Sequence, residues 1–174
     1  MTANNVTRFL DSKKVPYKVF ELPAEKRGAR ETARLLGVDP ELVYKTIVVI
    51  RPGLGLSPSG GLSPKGGKPI LAVIPGPNRV DLKLLAAALG EKKLSLPTER
   101  EAEKLTGLQA GGISPLSLIN KGFQVVIDAA AQKRPEIHVS GGQRDLNIRL
   151  PVKSLGELTR ARFALISDLD GESI

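Results

Sequence analysis

The 174-residue chain has no cysteine, no tryptophan and a single histidine. Without cysteine it can form no disulfide, hold no metal through thiolates and offer no thiol nucleophile. A Ser-His-Asp triad or a histidine metal site would have to be built around His138 alone, and the carboxylates such a metal site would need do not cluster beside it. Its alternating surroundings, Glu136, Ile137 and Val139, read as a strand. Aromatic residues make up only 3% of the chain. The core must therefore be aliphatic, and the scarcity argues against a stacking platform for single-stranded nucleic acid. No apolar run approaches the roughly 20 residues that span a bilayer. The first residues, Met1, Thr2, Ala3, Asn4 and Asn5, lack the basic-then-apolar order of a signal peptide. A soluble cytoplasmic protein without a membrane partner is expected.

Hydrophobic residues at 41% and charged residues at 25% describe a globular chain, long enough for one domain with a real core. Lys and Arg total 26 against 18 Asp and Glu, giving +8 and a pI near 9.9. That charge fits a polyanionic partner held through phosphate contacts, and fits equally a merely soluble basic protein.

Hydrophobic periodicity divides the chain into short elements. Val6, Phe9 and Leu10 mark one face of a helix over residues 6–14, and an alternating extended segment follows over 17–22. Residues 31–36 read as a helix stopped by Gly37. Asp39 and Pro40 read as the cap and first turn of another start. Tyr44 and Lys45 lead into a buried strand over 46–50, and a second apolar strand lies at 70–74. Between them, residues 51–68 hold six glycines and three prolines, with Gly-Leu-Ser-Pro at both 55–58 and 61–64. This composition predicts a long mobile hairpin connection, the alternative being a substrate-gripping flap that uses Lys65 and Lys68. Val80, Leu84, Leu85, Ala88 and Leu89 repeat at helical spacing up to Gly90. Thr98 and Glu101 form a capping box for a helix over 99–105, ended by Gly107. Strands follow at 123–127, 136–139 and 146–150. A helix capped by Ser154 runs through Arg160, and a last strand covers 163–166. Strands outnumber crossover helices after Gly111. The prediction is an α+β domain over residues 1–168, with a curled, barrel-like mixed sheet, flanking helices, an insertion at 51–68 and a tail at 169–174.

Two glycine-rich turns stand out: Gly111, Gly112, Ile113, Ser114, Pro115, Leu116, and Val139, Ser140, Gly141, Gly142. Glycine has no Cβ to block approach, so main-chain N–H groups there can form a nest for a phosphate, a carboxylate or a developing oxyanion. The first turn also reads as a plain strand-to-helix connection, with Ser114 as cap and Pro115 at the first helical position. Lys45, between a helix end and an apolar strand, either snorkels to solvent or reaches into a pocket, where it would hold an anion. Ser114 and Ser140 need a nearby base to act as nucleophiles. His138 shares a strand face with Ser140, and hydrogen bonding to substrate is the other role open to that serine. Asp128 and Asp145 lie beside the turns without a recognisable paired-carboxylate spacing.

Val43-Tyr44-Lys45-Thr46 before a Val/Ile strand, Leu82-Lys83 with Ala87-Ala88-Leu89-Gly90, Thr106-Gly107, and the two glycine turns occur in one order. In this the chain resembles the YbaK/EbsC-type aminoacyl-tRNA deacylases, free-standing relatives of the editing domain inserted in bacterial prolyl-tRNA synthetases. The resemblance runs from about residue 6 to residue 166. It implies trans-editing, the removal of a wrong amino acid from a charged tRNA, with cysteine on proline tRNA as the usual substrate. It implies aminoacyl-tRNA, and in particular tRNA(Pro), as partner, with prolyl-tRNA synthetase as a helper, and no cofactor or metal. It makes Lys45 the essential lysine, placed to meet the terminal phosphate or ribose. N–H groups around Gly111 and Gly112 would cradle the ester carbonyl. Ser140, Gly141 and Gly142 would line the pocket, and Thr46, Ile113, Ser114 and Asn147 complete the substrate-binding set. In the cysteine-specific branch the substrate's own thiol attacks its ester. Three positions depart from the family pattern: Asn147 stands where an aspartate is familiar, Gly28 where an aromatic is common, and Leu22 near a common tyrosine. A related enzyme that clears alanine with water, a tRNA- or synthetase-binding module without turnover, and a serine hydrolase built on Ser140 and His138 are the rival readings.

Overall fold

Residues 70–74 have no exposed surface at all, and that fact organises the molecule. The computed structural model describes residues 4–52 and 68–169. In chain order the elements are α1 (Asn5–Ser12), β1 (Lys18–Glu21), α2 (Ala29–Leu36), a 3-10 turn (Pro40–Leu42), β2 (Tyr44–Val49), β3 (Ile70–Pro75), β4 (Asn78–Val80), α3 (Leu82–Leu89), α4 (Glu99–Thr106), β5 (Gln124–Asp128), a 3-10 turn (Ala129–Lys133), β6 (Glu136–Ser140), β7 (Leu146–Pro151), α5 (Val152–Thr159), β8 (Arg162–Ala164) and β9 (Ser167–Leu169). A four-stranded sheet has the order β2-β3-β5-β8. It is mixed, since β3 pairs antiparallel with β2 and parallel with β5, and β5 pairs parallel with β8. A three-stranded sheet, β1-β7-β6, is antiparallel throughout, and β4 pairs with β9.

The central strands are apolar on both sides because both faces of the four-stranded sheet are covered. Tyr44, Val48, Leu71, Val73, Val125 and Ile127 face the larger core, shared with Ile137, Val139, Ile148 and Leu150 of the three-stranded sheet and with α1 and α5. Val49, Ile70, Ala72, Ile74 and Val126 face a second core with Leu85, Ala86 and Ile166. Truncating one of the buried Leu or Ile side chains here to alanine costs about 2–5 kcal/mol.

The α+β class stands, but the curled, barrel-like sheet does not form. Closure requires an unbroken ladder with a consistent stagger. Among the described residues the two larger sheets are joined in backbone pairing only by an isolated bridge between Val43 and His138, and neither closes on itself. The helix stops are where local chemistry puts them: Gly37, Gly90 and Gly107 are all left-handed C-caps, and Thr98 and Glu101 make the reciprocal capping box. Other local expectations are corrected. Ser154 lies inside α5, whose N-cap is Pro151. No helix follows Pro115; residues 115–122 form a run of turns. The last strand is split into β8 and β9 around buried Ile166. The β2–β3 pairing is the expected hairpin, whereas residues 53–67, including Lys65, and the tail beyond Leu169 lie outside the described residues. No described helix is long and apolar enough to cross a membrane.

Candidate functional site

A cavity of about 210 Å³ opens where the two larger sheets approach each other. Leu22, the start of α2, the first residues of β2, the first glycine turn and the β6–β7 connection all contribute to its wall. Its electrostatics are one-sided. Arg27, Lys45 and Arg144 line it, and no Asp, Glu or His does.

Backbone carbonyls hold the two arginines in place. Arg27 donates from Nη1 to the Arg144 carbonyl at 3.0 Å and from Nη2 to the Pro23 carbonyl. Arg144 donates from Nε to the Ala110 carbonyl at 2.7 Å. Neither forms an ion pair with a carboxylate among the described residues. Each guanidinium is therefore oriented while its charge stays available. Gly28 and Ala29, which line the cavity, begin α2, and the Gly28 N-cap supplies no side-chain hydrogen bond. The first-turn N–H groups of that helix add partial positive charge at the same wall.

Of the ten residues the sequence singles out, Lys45, Thr46, Gly111, Ile113, Ser140 and Asn147 line this cavity. Gly112, Ser114, Gly141 and Gly142 stand outside its lining. The Gly112 N–H is committed to the Gln109 carbonyl at 2.8 Å, and the Gly141 N–H to the Leu146 carbonyl at 2.8 Å. The Gly142 N–H meets Ser140 Oγ at 3.2 Å. Gly142, at φ +98°, packs against Ser117 and borders a separate depression with α1. Ser114 is fully buried and its Oγ accepts the Leu116 N–H at 3.1 Å. These groups build the two turns.

His138 is buried and lies 2.8 Å through Nδ1 from Asn147 Oδ1. It is thus engaged by Asn147, outside the cavity that Ser140 lines. Burial pushes its pKa below the usual value of 6.5, partly opposed by the Asn147 hydrogen bond. Tyr44, also in the cavity wall, has its hydroxyl held well above the usual 10 by burial and then by the Asp128 charge. It stays protonated at neutral pH. Thr46 Oγ1 is a buried oxygen of the cavity wall with no hydrogen-bond partner among the described residues, an orphan that a bound polar group would satisfy. Among the described residues no group of three His, Asp or Glu is placed to hold a metal.

Sequence reasoning missed Arg27, Arg144 and the place of Tyr44 in the cavity wall. Arg144 follows Gly142 by two residues, which is the one local hint. Arg27 has only its neighbour, the uncapped Gly28.

The fold is that of a class of proteins built on an aminoacyl-tRNA editing domain. The aminoacyl-tRNA editing domain model matches residues 24–158, and the chain belongs to that family. It is 33% identical over 165 residues to the Enterococcus faecalis (strain ATCC 700802 / V583) protein named "Putative Cys-tRNA(Pro)/Cys-tRNA(Cys) deacylase EbsC", covering 94% of this chain and 92% of that one. A crystal structure described as "a putative trans-editing enzyme for prolyl tRNA synthetase" superposes with a TM-score of 0.72 at 26% identity, covering 96% of this chain and 99% of that one. The hypothetical protein APE2540 shares the fold, with a TM-score of 0.80 at 24% identity over 95% of this chain and all of that one.

Proposed function

We propose that this chain clears cysteine from mischarged proline tRNA, with the thiol of the substrate as the nucleophile. The observation that carries this reading is the composition of the cavity wall: three cations, and no carboxylate or imidazole to act as general base. Water attack would need a protein base within hydrogen-bond reach. A substrate thiol needs none once it is ionised, and neighbouring positive charge lowers a thiol pKa from its ordinary ~8.5. The thiolate forms the new S–C bond at the ester carbonyl. The C–O bond to the ribose breaks, its electron pair stays on the ribose oxygen, and that oxygen takes a proton from water. The tRNA leaves with a free hydroxyl, and water then opens the cyclic thioester to cysteine. Lys45 stabilises the negative charge that develops on the carbonyl oxygen. Arg27 and Arg144 hold the phosphate end of the terminal nucleotide. The cavity is smaller than the roughly 300–1,000 Å³ typical of drug-sized ligands, which suits an aminoacyl group with the nucleotide at its mouth. The name of the Enterococcus faecalis relative points to the same substrate, and prolyl-tRNA synthetase is the enzyme that would supply it.

The test is deacylation of Cys-tRNA(Pro), Ala-tRNA(Pro) and Pro-tRNA(Pro) by wild type and Lys45→Ala. Loss of the cysteinyl ester alone, abolished by Lys45→Ala in a folded variant, is the expected result. Clearance of the alanyl ester would replace the thiol by water as nucleophile. Tight tRNA binding without turnover of any ester would make the chain a binding module.

A further inference from the structure

Asn147 and His138 stand one behind the other in the wall of the cavity. Asn147 on β7 is opposite Ser140 on β6 and Phe20 on β1. Asn147 is 4% exposed and lines the cavity, whereas His138 is 2% exposed and does not. The Phe20 ring covers the imidazole at 5.3 Å between centroids. An amide oxygen can only accept, so the imidazole nitrogen 2.8 Å from Asn147 Oδ1 must carry the proton. The contact fixes two things at once, the tautomer of His138 and the orientation of the Asn147 amide.

The other end of that amide is Nδ2. Among the described residues it makes no hydrogen bond; the Asn147 side chain is held only through Oδ1. It is not sealed in the protein either, since among the described residues only Thr46 Oγ1 and Arg149 Nε are fully buried without a hydrogen-bond partner. A donor that is neither bonded nor enclosed opens onto the cavity its residue lines.

We propose that His138 is a positioning residue: by pinning Asn147 Oδ1 it turns the Asn147 Nδ2 amide into a fixed donor for an acceptor oxygen of the bound ligand. Under the function proposed above, on which the identity of the ligand rests, that oxygen belongs to the ester or the ribose of the aminoacyl-adenosine. The donor joins Arg27, Lys45 and Arg144 in a wall that offers hydrogen bonds and receives oxygens. An aspartate at position 147 would invert this polarity without changing shape, because an ionised carboxylate only accepts.

Two measurements test the couple. Nitrogen-15 NMR of the His138 ring in ligand-free protein reads the tautomer. A proton on Nδ1 is expected, and a neutral ring protonated only on Nε2 overturns the proposal. The second measurement is calorimetric binding of 3′-cysteinylamido-3′-deoxyadenosine, whose amide link cannot be deacylated, to wild type, His138→Asn, His138→Leu and Asn147→Asp. Asparagine at position 138 keeps an N–H donor at the δ position, and leucine fills similar space without one. His138→Asn should bind within about threefold of wild type, while His138→Leu and Asn147→Asp should each weaken binding by about tenfold or more, the loss of one buried hydrogen bond. Wild-type affinity in either weakened variant overturns the proposal, and Asn147→Asp decides the matter if His138→Leu does not fold. A wild type that ignores the probe overturns the aminoacyl-adenosine reading, and the ring tautomer then decides the couple by itself.

Discussion

Gly112 and Gln143 are packed backbone against backbone: a Cβ on Gly112 would stand 3.0 Å from the Gln143 Cα and 3.1 Å from the Arg144 nitrogen. The two glycine turns thus clasp each other, and the clasp sets where Arg144 enters the cavity. Gly112→Ala must push the turns apart. The expected cost is about 1–3 kcal/mol, as for other forced overpacking, with a loss of deacylation larger than the loss of stability explains. Urea unfolding beside activity at a temperature where the variant is fully folded checks this. Full activity would remove the clasp from any role in aligning the site.

Arg27 and Arg144 lack carboxylate partners among the described residues and face the cavity, so each should release counterion when tRNA binds. For a single-stranded 3′ end, the plot of log affinity against log salt should flatten by about 0.7 for each phosphate contact removed. Filter binding of tRNA by Arg27→Ala and Arg144→Ala between about 50 and 200 mM salt reads that slope. A weaker affinity with an unchanged slope would mean that the arginines only brace the loops through the carbonyls of Pro23, Ala110 and Arg144.

His138 should make the fold sensitive to mild acid. Its pKa in the folded protein lies below 6.5, first because it is buried and further through the Arg149 charge, while the Asn147 hydrogen bond and the Glu136 charge oppose the shift. Well above pH 6.5 the ring is neutral in both folded and unfolded chains and contributes no pH dependence. As pH falls below 6.5 the unfolded chain binds a proton that the native ring resists, so stability is lost. Thermal unfolding of wild type from pH 7.5 down to 5 should therefore show a steeper fall than that of His138→Asn, over about the first unit or two below the unfolded pKa. Parallel curves would contradict a depressed pKa at this site.

Asp128 ties the end of β5 to β9. It is 1% exposed and accepts hydrogen bonds from the Ala130 N–H at 2.8 Å, the Ile166 N–H at 3.2 Å and the Ser167 hydroxyl at 2.6 Å. Asp128→Ala leaves those donors without their acceptor and should destabilise the fold by about 3 kcal/mol or more. Chemical denaturation measures it. A cost within about 0.5 kcal/mol, the range of ordinary surface changes, would mean that water replaces the carboxylate.

The elements that were legible in the sequence are those whose signals are local. Gly37, Gly90 and Gly107 stop helices by adopting a left-handed conformation that any flanking sequence would reveal, and Thr98 with Glu101 carries its own capping geometry. The apolar run at 70–74 announces a strand buried on both faces. The order of the strands was not legible, because pairing β3 with β5 spans about fifty residues of chain and depends on how two cores share one sheet. At the site, a Gly-Gly pair announces that something comes close without saying what. Around Gly112 the approaching partner is another turn of the chain. Arg27 and Arg144 could not be separated from 24 other basic residues, since what distinguishes them is the carbonyls that aim them and the absence of acid around the cavity.

Val49 and Ile70 are direct partners across the β2–β3 ladder, while the cavity takes residues 43–47 at the opposite end of β2. Lys45 is four residues from Val49, about 13 Å along an extended strand. Past Val49, Ile50 still bridges Ser95 and Arg51 still pairs with Glu91 at 2.7 Å, so a change at this end has to leave residues 50–51 in place. Doubling the length of the rest of the connection costs only about 0.6 kcal/mol in closure entropy. This end of the hairpin is therefore a natural port for grafting: a fluorophore, an affinity peptide or an entire small domain spliced between the two strands would report on the protein or tether it, and chemistry at the far end would go on undisturbed.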